Sequence, residues 1–123
     1  MMDRAEKLLP WQWKLYAGNH AARRNLLLHM LSVPVFQLGT VALVTAPFTS
    51  LMWAIPGVVA MVGAVAVQGR GHRGEPVAPV PFLGPWDVVS RIFAEQWVTF
   101  PRFVLSGGFA RAWRSAGSAP TAR

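Results

Sequence analysis

The sequence has no cysteine, which excludes disulfides, thiolate metal ligands and a thiol nucleophile together. It has one tyrosine and three histidines, His20, His29 and His72. Acids are also scarce, five Asp and Glu against twelve Lys and Arg, for a net charge of +7. Charged residues make up 14% of the chain, against about 25% in an ordinary soluble domain. That shortage is local, because no Asp, Glu, Lys or Arg occurs anywhere from Leu26 to Val67. A basic balance points to nucleic acid or to anionic lipid. No nucleic-acid motif accompanies it, and the charge-free stretch favours lipid. With thiols absent, the available chemistry is that of His, Asp, Glu, Asn and Tyr.

What fills the charge-free stretch is two apolar runs, about 26–46 and 51–67, separated by Pro47-Phe48-Thr49-Ser50. A helix needs roughly 17–25 apolar residues to cross ~30 Å of hydrocarbon. The runs therefore predict an all-α membrane protein built on a two-span transmembrane hairpin. The first run starts too late and is too long for a signal-peptide core, and Asp3 and Glu6 interrupt the basic flank before it. The connection carries no basic residue, whereas residues 1–25 hold five and residues 70–123 hold seven. The positive-inside rule then puts both termini in the cytoplasm, as for a bacterial-type inner-membrane protein.

Around the hairpin the pattern changes. Trp11, Trp13 and Tyr16 suit the headgroup layer and predict an interfacial helix over about 10–22, bending near Arg24-Asn25. Asn25 is the expected N-cap of the first span, and Pro34 an expected kink within it. Gly57, Ala60, Gly63 and Ala64 offer a small-residue face for close helix approach, read as packing between the spans rather than a cofactor site, and an oligomer is left open. A Gly/Pro-rich loop is expected over 69–85. Beyond it, Val89, Ile92, Phe93, Gln96, Trp97 and Phe100 mark an amphipathic helix over about 86–100. On its opposite side Asp87, Arg91 and Glu95 stand at i,i+4 spacing, and Pro101 ends or kinks it. Residues 1–114 make one domain, and 115–123 read as a disordered tail.

Two constellations carry chemistry. Tyr16, His20, Asn25 and His29 straddle the entry to the first span. On a straight helix the two histidines fall about half a turn out of phase, so they meet only if the chain bends between them. Gln68, Gly71, His72 and Glu75 follow the second span. A hairpin returns its exit to the side of its entry, which brings His72 and Glu75 near His20 and His29. Three imidazoles and a carboxylate suit iron or another divalent metal. Asn25, Tyr16 and Gln68 are placed to orient the imidazoles.

These blocks, with Pro34 and Pro76 added, resemble the signatures of the 2-hydroxy fatty acid dioxygenase family of small membrane proteins, over about 12–108. The resemblance implies Fe(II) held by His20, His29 and His72, with Tyr16, Asn25, Gln68 and Glu75 completing the catalytic set. The implied reaction is α-oxidation, in which O2 is used to shorten a 2-hydroxy acyl chain by one carbon. Such a substrate lies in the membrane with its oxygens at headgroup level, where Arg24 and Arg73 are expected to hold its carboxylate. The competing reading is a non-catalytic hairpin that binds lipid or a partner membrane protein.

Overall fold

The computed structural model describes residues 7–118, and no strand occurs among them. Helix α1 spans Leu8–Asn19; after a bend at residues 20–22, α2 runs from Arg23 to Thr45. Two 3-10 turns, Ala46–Phe48 and Leu51–Trp53, lead into α3, Ala54–His72. Irregular chain then reaches α4, Pro85–Ala94, which passes into a π-helical turn, Glu95–Thr99, and on into α5, Phe100–Leu105. Gly107, at φ 84°, allows the turn into α6, Gly108–Ser118.

Helices α2 and α3 pack side by side in opposite senses. Gly39 meets Gly57, Ser32 bonds Gln68 and Asn25 lies beside Gly71, so numbers rise on one helix as they fall on the other. A Cβ on Gly39 would lie 2.6 Å from the Gly57 carbonyl, and one on Gly57 2.8 Å from that of Gly39. Glycine is what lets the backbones approach this closely. Ala60 and the buried Ala64 share the face, whereas Gly63 meets nothing within 4 Å.

Both helices are long and apolar enough to cross a membrane. Only 28% and 17% of their most apolar windows are buried, whereas the core helix of a soluble protein is mostly covered. Leu38, Ile55 and Met52 are 71%, 73% and 82% exposed. The packed core lies at one end of the pair, where Tyr16, Leu26, Val33, Phe100 and Phe103 are buried together. Trp13, Phe109 and Trp113 close over it, so α1, α5 and α6 gather around the start of α2.

Several boundaries depart from the sequence expectation. The bend falls at residues 20–22 rather than near Arg24-Asn25, and α2 starts two residues before Asn25. Ala22 stands at the N-cap, without a side-chain acceptor, so Asn25 is not the cap. Glu75 does that work from outside the helix. Its carboxylate accepts from the N–H of Ala21 at 2.9 Å, that of Ala22 at 3.0 Å and Asn25 Nδ2 at 2.8 Å. Otherwise-orphaned backbone donors gain an acceptor, and the negative charge faces the positive end of the helix. The α3 helix continues to His72, so the Gly/Pro segment starts later than expected. Pro34 lies inside α2, which continues through it. Pro101 does not end the C-terminal helix, because the wider π turn before it absorbs the mismatch. Residues 115–118 are helical rather than disordered, and 119–123 lie outside the described residues.

Candidate metal centre

His20 sits in the bend after α1, His29 nearly two turns into α2 and His72 at the end of α3. Antiparallel packing brings α3's last residue back to α2's first turns, and the bend turns His20 towards His29. Their Nε2 atoms are 3.2 Å apart. Glu95 Oε2, from the first residue of the π turn, lies 3.3 Å from His20 Nε2 and 3.4 Å from His29 Nε2. His72 completes the group: one ligand atom from each of the four residues falls within 4.8 Å of the others.

The outer nitrogens decide what faces inward. His20 Nδ1 lies 2.8 Å from the Tyr16 carbonyl, and His29 Nδ1 lies 3.0 Å from that of Asn25. A carbonyl only accepts, so each Nδ1 carries the hydrogen, and a neutral ring then presents its Nε2 lone pair to the centre. Two such lone pairs and a carboxylate oxygen crowded together repel one another unless a cation (a metal ion, or a proton carried on an imidazole Nε2) sits among them. His72 Nδ1, buried with no hydrogen-bond partner, adds another unsatisfied acceptor or donor. The donor set therefore fits a divalent metal, with imidazole and carboxylate ligands and no sulfur.

Tyr16 organises the acidic side. Its hydroxyl donates to Glu95 Oε2 at 2.8 Å, and its ring stacks on His20 with centroids 3.8 Å apart. Burial, together with the Glu95 charge and hydrogen bond, holds the Tyr16 phenol well above its ordinary range, so it remains a donor. Burial alone would raise the Glu95 carboxyl. Hydrogen bonds and charge from His20 and His29 outweigh it and hold the carboxyl well below the usual carboxylate range. A metal ion there would favour the carboxylate in the same way.

Beneath the centre lies a buried amide layer. Gln68 and Gln96 exchange two hydrogen bonds, at 2.9 and 2.7 Å, and Gln68 also donates to the Ser32 hydroxyl at 3.0 Å. Gln37 Nε2 donates to the Gln96 carbonyl at 2.8 Å. In the i→i−5 register of the π turn that carbonyl would look to Pro101, which has no N–H. A cavity of about 300 Å³ opens on the site. Tyr16, His20, His72 and Glu95 are among its polar walls, and Trp11, Leu15, Val65, Phe82 and Ile92 among its apolar ones.

No protein-family model, curated protein or solved structure matches the chain.

Of the residues singled out from sequence, His20, His29 and His72 come together, and Tyr16 reaches the site through Glu95. Gln68 lines the cavity and braces the layer below. Glu75 is spent on the bend, with Asn25 as its partner, and is not part of the four-residue cluster. The carboxylate at the centre is Glu95 instead. Its spacing from Asp87 and Arg91 suggested an outward ion-pair ladder; Asp87 and Arg91 do pair, at 3.3 Å, while Glu95 turns inward. Arg24 and Arg73 are exposed and do not line the cavity. Arg91 does, but its guanidinium is engaged by the carbonyls of Val80, at 2.7 Å, and Pro81, at 3.2 Å.

Proposed function

We propose that this protein is a membrane-embedded, iron(II)-dependent dioxygenase acting on 2-hydroxy fatty acids, shortening them by one carbon. The observation that carries the proposal is the convergence of three imidazoles and Glu95, with the outer imidazole nitrogens of His20 and His29 tied to backbone carbonyls. Helices α2 and α3 cross the bilayer as a hairpin, and both termini lie on the cytoplasmic side. That orientation rests on the basic residues flanking the spans and the lack of any between them.

Bound iron(II) would supply redox chemistry towards O2 and a Lewis-acid position for the substrate's hydroxyl and carboxylate oxygens. The chain's own part is positioning. His20, His29, His72 and Glu95 hold the ion, while Tyr16 fixes one Glu95 oxygen and, through stacking, the plane of His20. The cavity's apolar walls favour the part of an acyl chain nearest its head, and the exposed apolar surface of α3 gives the remainder a lipid-facing course. The amide layer of Gln68, Gln96 and Gln37 keeps the π turn in the register that aims Glu95 inward.

The test is anaerobic purification and metal reconstitution, followed by oxygen uptake with a 2-hydroxy fatty acid and chain-length analysis of the product. One iron per chain and a product one carbon shorter support the proposal. Stoichiometric metal without turnover leaves a metal-holding membrane scaffold, and no metal removes the enzyme reading.

A further inference from the structure

The described acids are all turned inward. Glu75 and Asp87 are 9% and 8% exposed, and Glu95 faces the histidines. Of the ten described Lys and Arg, Arg91 alone is drawn inside; the other nine are exposed. Among the described residues the surface charge is therefore of one sign. A groove of about 850 Å³ lies within this surface, where α1, the start of α2 and α6 meet. Arg23 and Arg111 line it, with Trp13, Phe103 and Ala112 as apolar contributors, and none of the described acids is among its walls.

The arginines are held in place by their surroundings. Arg23 Nε donates to the Trp113 carbonyl at 3.0 Å, and its guanidinium lies 4.8 Å from the Trp113 ring centre. Arg111 reaches the Ser106 carbonyl at 3.4 Å. Arg23, Leu27 and Leu31 follow one another at four-residue steps and so share one side of α2. Leu27 and Leu31 are 48% and 63% exposed. A ligand with an anionic head at the groove and an apolar tail along these leucines matches both features.

We infer that the groove between α1, α2 and α6 seats the headgroup of an anionic glycerophospholipid. The phosphate meets Arg23 and Arg111, and an acyl chain lies along Leu27 and Leu31. This rests on the membrane part of the proposal above and not on the metal. Two guanidinium groups set in an apolar groove recognise phosphate more strongly than a zwitterionic head, whose own cation they repel.

The experiment is tryptophan quenching of the full chain in detergent by brominated phosphatidylglycerol against brominated phosphatidylcholine. Phosphatidylglycerol is expected to bind at least tenfold more tightly, with a preference that falls as salt rises, and Arg111→Gln to lose about fivefold of it. Because Arg23→Gln also breaks the link to α6, Arg111→Gln carries the test, with helix content checked by circular dichroism. Equal binding of the two lipids, or an unchanged preference in Arg111→Gln, overturns the assignment. Displacement of the lipid by soluble glycerol phosphate at equal concentration overturns it in favour of a free phosphate ester. A chain that stays soluble without detergent and is quenched by neither lipid overturns the membrane reading along with it.

Discussion

Two glutamates that look alike in sequence have different work, and exchanging each for glutamine separates them. Glu75 accepts three N–H groups, from Ala21, Ala22 and Asn25, and is nearly buried. Hydrogen bonds to a charged group contribute about 1.5–3 kcal/mol each. Glutamine keeps one oxygen for the backbone donors but turns its own N–H groups towards Asn25 Nδ2, so about one bond is lost and one contact becomes repulsive. The expected cost is about 2–4 kcal/mol, a large part of the ~5–15 kcal/mol that holds an ordinary domain together. The folded fraction should still bind one metal. Glu95→Gln should do the opposite. It removes a charge from the centre while preserving shape and an acceptor for Tyr16, so the protein should still fold and the main loss should fall on the metal. Metal affinity should fall by more than ~100-fold, beyond the usual effect of an outer partner. Unfolding in denaturant followed by circular dichroism reads the first quantity, and equilibrium dialysis against the metal reads the second. A stable Glu75→Gln protein that has lost its metal, or a Glu95→Gln protein with unchanged affinity, refutes the assignment of roles.

Three further outcomes follow from the same geometry. Tyr16→Phe keeps the ring on His20 but drops the hydrogen bond to Glu95; metal affinity should fall about 10–100-fold by dialysis. Since Tyr16 is the only tyrosine, its ionisation can be followed alone by absorbance near 295 nm. The raised phenol implies stability that is fully present below about pH 10, the unfolded midpoint, and lost above it as the unfolded chain gives up the proton first. Tyrosinate should therefore form well above pH 10 and together with loss of helix, and titration near 10 in the folded chain would contradict this. Gly71→Ala drives a Cβ into Asn25 Oδ1 beside His72, so about 1–3 kcal/mol of destabilisation is expected by denaturant unfolding, along with weaker metal binding.

The histidines were legible because the two apolar runs announce a hairpin, and a hairpin returns distant residues to one end. The carboxylate was not. Glu75 follows His72 closely and so invited the role, yet the amides of Ala21 and Ala22, in the bend just before α2, claim it. Glu95 sits in a spacing that normally builds an exposed i,i+4 ladder. One sign pointed inward: Gln96, the next residue, falls on the apolar stripe. The missing element was the π turn, since an extra residue per turn changes the direction of everything after it and leaves little trace in hydrophobic periodicity. Pro101 marked the place, but a proline more often ends a helix than follows a widened turn. The tail's low bulk likewise concealed that Trp113 and Arg23 pin α6 to the start of α2.

The most direct measurement of the central claim is X-ray absorption at the iron edge, on protein reconstituted anaerobically and freed of loose metal. A first shell of nitrogen and oxygen with the outer-ring scattering of three imidazoles, reduced in His29→Ala, is the expected result. Iron that washes out, or that remains with no imidazole scattering, contradicts a centre built from His20, His29, His72 and Glu95.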